Sequence, residues 1–75
     1  MFKLEIHIAD ASWSENYLTT SDAIDALDTV LTYNGAIKVY QGVTDGADVW
    51  TIARLRSTKP ATVHAIGTAR VQRLT

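Results

Sequence analysis

The chain contains no cysteine. This excludes a disulfide framework, thiol nucleophiles and any cysteine-ligated zinc or iron–sulfur centre. Proline occurs once, and the four glycines (Gly35, Gly42, Gly46, Gly67) are scattered. Neither a collagen-like or disordered composition nor a glycine-rich phosphate loop of the P-loop or dinucleotide type can be built from them. No apolar run approaches the length of a membrane span. The opening "MFKLEIHIAD" alternates apolar and polar residues instead of carrying the continuous apolar core of a signal peptide. A soluble cytoplasmic protein with no membrane partner is the expectation.

Charge is lacking by sign and by region. Residues 1–50 hold all eight acids against Lys3 and Lys38, whereas residues 51–75 hold Arg54, Arg56, Lys59, Arg70 and Arg73 with no acid. The net charge of −1 therefore hides two oppositely charged halves, which predicts two differently charged surfaces. What is present is apolar: 47% of the 75 residues. That suits a single folded domain over residues 1–75, close to the lower size limit for an unstapled core, where oligomerisation would help.

Phe2, Leu4, Ile6 and Ile8 alternate with Lys3, Glu5 and His7, the period of a strand with one buried face. "DASWSENYLTTS" reads as a polar connector, with Trp13 and Tyr17 folding back over the core. At "TTSD" Thr19 can cap a helix and Asp22 sits three residues later, a capping box with Asp in place of Glu or Gln. Through "SDAIDALDTVL" the residues Ala23, Ile24, Ala26, Leu27, Val30 and Leu31 fill one arc of roughly 160°. Asp22, Asp25 and Asp28 line the other side. Asn34 or Gly35 suits the left-handed cap that ends such a helix.

"AIKVYQGV" and "DVWTIARLR" are β-branched and aromatic, and the Asp45-Gly46 pair between them predicts an antiparallel hairpin. With Val43 opposite Val49, one face carries Ile37, Val39, Val43, Val49, Ala53 and Leu55, and the other carries Lys38, Tyr40, Trp50, Ile52, Arg54 and Arg56. A two-residue turn shifts that register by one. The last segment, "ATVHAIGTARVQR", is poor in helix formers and reads as a strand bent at Gly67. The expected fold is α+β, in the order β-α-β-β-β, with one amphipathic helix on a four-stranded, mostly antiparallel sheet. The alternative is a ferredoxin-like β-α-β-β-α-β plan with a short helix over residues 60–66.

Nothing in the chain assembles catalysis. There is no nucleophile elbow and no H-x-x-x-H or H-E-x-x-H spacing around His7 or His64, so no catalytic residue, metal or cofactor is expected. Asp22, Asp25 and Asp28 spread over roughly 120° of one helix and do not converge on an ion. They read as a solvated face or as an acidic stripe for a basic partner. A single helix leaves one sheet face open, and the register above gives that face Lys38, Tyr40, Trp50, Ile52, Arg54 and Arg56. Aromatic and apolar residues with a basic rim are the composition of a protein interface. The same composition suits stacking of single-stranded nucleic acid, although a sequence pI near 6.0 is far from a basic footprint.

In size, in its lack of catalytic residues and in the order carried by "FKLEIHIA", "SDAIDALDTVL", "AIKVYQGV" and "DVWTIARLR", the chain resembles small phage-encoded inhibitor proteins of the anti-CRISPR type. The resemblance implies a protein that occupies a surface on a larger host protein or protein–nucleic acid complex. A homodimer, or a nucleic-acid-binding module using the open sheet face, are the other expectations.

Overall fold

The computed structural model describes residues 1–74, with the side chains at 57, 58 and 61 outside that description. The elements in chain order are β1 (Phe2–Ile8), β2 (Ala11–Tyr17), α1 (Thr20–Tyr33), β3 (Ile37–Thr44), β4 (Ala47–Thr58) and β5 (Ala61–Arg73). The strands form one sheet in the order β2-β1-β5-β4-β3, and every neighbouring pair is antiparallel.

Five strands replace the expected four. The segment read as a connector is β2, which pairs with β1 from Phe2↔Tyr17 to Ile8↔Ala11 without a break. Serine and asparagine are weak strand formers, but the outer edge of β1 presents unpaired backbone groups that a neighbouring strand satisfies. Ala9 and Asp10 make the turn, Ala9 with a φ of 52°. Tyr17 does pack against the core, whereas Trp13 stands half-exposed at the edge. The ferredoxin-like alternative also fails, because residues 61–73 form one strand where a second helix would have begun.

The helix forms where its sequence signals lie. Thr19 is the N-cap and its hydroxyl accepts from the Asp22 N–H at 3.0 Å. Asn34 closes the helix, and Gly35 takes the left-handed conformation at φ 58°. Ala23, Leu27 and Leu31 are buried, flanked by Ile24, Ala26 and Val30. They meet Leu4, Ile6, Trp50, Ile52, Ala69 and Val71 from the sheet, which completes the core. Since β2 and β3 are the opposite edges of the sheet, α1 bridges them across one face and leaves the other uncovered.

Asp45 and Gly46, with φ of 51° and 76°, make a two-residue turn between Thr44 and Ala47. Val43 accordingly pairs with Asp48, not Val49. A bulge at Gln41 then restores the parity, giving Tyr40↔Trp50, Val39↔Thr51, Lys38↔Ile52 and Ile37↔Ala53. β5 is irregular beside Gly67, as the β4 partner sequence steps from Gly67 to Ala65. A Cβ at Gly67 would collide with the His7 carbonyl group, so only glycine allows β1 to approach so closely there.

Candidate interaction surfaces

Lys38, Tyr40, Trp50 and Ile52 share a face, as the sequence predicts, but it is the face beneath the helix. Trp50 is 6% exposed and Ile52 0%. The reason is register: Trp50 lies opposite Ala69, which lies opposite Ile6, so the tryptophan continues the row that α1 covers. These two residues form core and cannot meet a partner.

The remaining members of the expected site are dispersed. The Lys38 ammonium pairs with the Asp28 carboxylate, tying β3 to the helix. Tyr40 leans on Trp50 with ring centroids 5.6 Å apart and tilted by 57°. Its phenol donates to Asp48 Oδ1 at 2.7 Å, and this bond to a carboxylate is the main reason its pKa lies above the usual 10.0. Arg54 donates from Nε to the Asn34 carbonyl at 3.0 Å, a cation at the negative end of the helix. Arg56 is exposed on the far part of β4. Of the aspartate row, Asp28 is paired with Lys38, while Asp22 and Asp25 are exposed on the first half of the helix.

The uncovered face divides into two unlike halves. On the β1–β2 side a shallow groove of about 320 Å³ is lined by Lys3, Glu5, His7, Ser12, Trp13 and Ser14. Lys3 Nζ lies 3.3 Å from Glu5, and His7 Nε2 lies 3.9 Å from the same carboxylate. The second distance is beyond hydrogen-bond reach. Catalysis by a serine would need His7 bonded to it. His7 and Ser12 are cross-strand neighbours, yet among the described residues no hydrogen bond joins a serine to this histidine. No three metal-ligating side chains converge among the described residues either.

On the β3–β4–β5 side the same face is aliphatic. Ile37 (48% exposed), Val39 (41%), Leu55 (55%) and Val63 (55%) stand on it, with buried Ala53 between Ile37 and Leu55. Sequence reasoning assigned Ile37, Val39 and Leu55 to a common face and turned that face towards the core. Both faces of the β3–β4 hairpin are apolar enough to serve, and the size of Trp50 is the one signal that favours the observed orientation.

β1 ends its pairing at Ile8↔Gly67 and β3 at Ile37↔Ala53, so beyond these rungs β4 and β5 continue alone. Residues 54–65 form a two-stranded arm, and the molecule is elongated at 44 × 23 × 23 Å. Leu55 and Val63 are cross-strand partners on the uncovered side of this arm, and Arg54 and His64 are partners on the helix side. No helix of the described residues is long and apolar enough to cross a membrane. Comparison of the chain with family models, with curated proteins and with solved structures gives no match.

Proposed function

We propose that this chain is a non-enzymatic interaction module that docks on a larger protein through Ile37, Val39, Leu55 and Val63. One observation carries the reading: four half-exposed aliphatic side chains stand together on a sheet face that none of the described elements covers. A chain this small has few large aliphatics to spend, and a contiguous apolar patch of this kind marks an interface. Their placement on paired strands positions the patch before a partner arrives, which limits the ordering entropy of association. The narrower reading, a phage-type inhibitor acting in the cytoplasm, rests on the resemblance alone.

The test is native mass spectrometry of the chain recovered from its host, comparing wild type with Leu55→Asp and Val63→Asp. A stoichiometric complex with one protein that both substitutions abolish, at unchanged circular dichroism, is the expected result. A complex indifferent to both substitutions overturns the reading. A species of twice 8.2 kDa that the substitutions dissociate moves the patch to self-association.

A further inference from the structure

The arm has a second character that the aliphatic patch does not use. Residues 54–64 carry Arg54, Arg56, Lys59 and His64 and no acid, while the rest of the chain sets all eight acids against Lys3, Lys38, Arg70 and Arg73. The overall charge of −1 is therefore the sum of a basic projection and an acidic body. Five residues beyond the last shared rung, at about 3.3 Å each, carry the tip about 17 Å from the body. That is about twice the ~8 Å over which physiological salt screens a charge. A polyanion at the tip meets Lys59 there, and Arg56 about 10 Å out along the strand, beyond the screened reach of the body's acids.

The shape of the arm narrows the choice of polyanion. Lys59 and Pro60 are the two residues between the paired positions 58 and 61, and both are exposed. Between positions 54 and 65 there is no Phe, Tyr or Trp, and the one imidazole, His64, sits opposite Arg54 at the base of the arm. Single-stranded nucleic acid, which is held by stacking on rings, finds no ring at the tip. A two-stranded ribbon fits the major groove of B-form DNA, about 12 Å wide, and not the deep, narrow major groove of A-form RNA.

We propose that the β4–β5 arm contacts duplex DNA, with Arg56 and Lys59 facing phosphates and Pro60 leading the tip into the major groove. The contact is independent of the aliphatic patch and stands or falls separately from it. It assigns the recognition to position and charge, so it is largely blind to sequence.

The experiment is fluorescence anisotropy with a labelled 25-base-pair DNA duplex at about 50 mM salt, with the matching RNA duplex and polyglutamate as competitors. Neutralising two phosphates gives a salt slope of about −1.8, or about 12-fold weaker binding at about 200 mM salt. Arg56→Glu with Lys59→Glu should weaken binding at least 10-fold, and Arg56→Gln with Lys59→Gln by a smaller factor. Both pairs should keep the wild-type circular dichroism spectrum, because neither residue belongs to the core. Absence of DNA binding at about 50 mM salt, or equal affinity in the charge-reversed variant, overturns the proposal. Competition by polyglutamate at matched charge overturns it in favour of an acidic protein, and competition by RNA as strong as by DNA overturns the choice of duplex.

Discussion

β4 and β5 run side by side through two environments. In the body, between Ala47 and Ala53, their rungs lie under α1 and between β1 and β3, and Trp50, Ile52, Ala69 and Val71 are buried. In the arm, beyond Ala53, the same ladder continues with exposed Leu55 and Val63. Backbone pairing is common to both, so the difference isolates what neighbouring layers add. Burial is supplied by α1 and by the flanking strands, and where they stop, apolar side chains become available for other contacts.

Substitutions along β4 should expose that contrast most strongly. Trp50→Ala should cost about 3–5 kcal/mol and Ile52→Ala about 2–5 kcal/mol in urea denaturation, since each empties space beneath the helix. Leu55→Ala, three residues further on, should stay within about 0.5 kcal/mol. Equal losses at positions 52 and 55 would mean that the arm is packed, and the distinction would collapse.

Gly67→Ala lies at the boundary and should cost about 1–3 kcal/mol, because the added methyl group meets the His7 carbonyl and β1 must shift. Arg54→Ala, which removes the bond from the base of the arm to the Asn34 carbonyl, should cost about 0.5–1.5 kcal/mol and speed amide exchange in residues 32–36. Amides of the arm beyond Leu55 should exchange faster than those of residues 49–52 in any case.

The smallest effect concerns pH. The Tyr40 phenol titrates above its ordinary pKa of 10.0 in the folded chain, so its bond to Asp48 contributes fully below pH 10 and is lost as pH rises through the raised value. Spectrophotometric titration of Asp48→Asn should show this phenol titrating at lower pH than in wild type. An unchanged titration would mean that the bond does not form in solution.

Much of the architecture could be read from residue order. The helix was legible because its cap, its apolar arc and its terminal Asn-Gly all agree, and the β3–β4 hairpin because Asp45-Gly46 tolerates two positive φ angles. β5 was legible through its lack of helix formers. β2 was not, because "ASWSENY" has no β-branched residue and forms its strand through pairing with β1 rather than through propensity. Its available signal was the alternation of Ala11, Trp13, Glu15 and Tyr17 with smaller polar residues, following a turn-forming Asp10. The candidate site was legible as a set of residues sharing a face and illegible in its direction. Periodicity says which side chains go together, whereas the helix decides which set is covered.

The helix that joins the two edges of the sheet also shapes how the chain comes to fold. β1–β2 and β3–β4–β5 are each local hairpin units, separated in sequence by α1, and the ladder that unites them pairs the first strand with the last. The β1–β5 rungs span almost the whole chain and carry the largest loop-closure cost of any contact in the molecule. They set a high contact order for so short a protein, so folding should be limited by the docking of two preformed hairpin units and fall in the milliseconds-to-seconds range of β-rich domains.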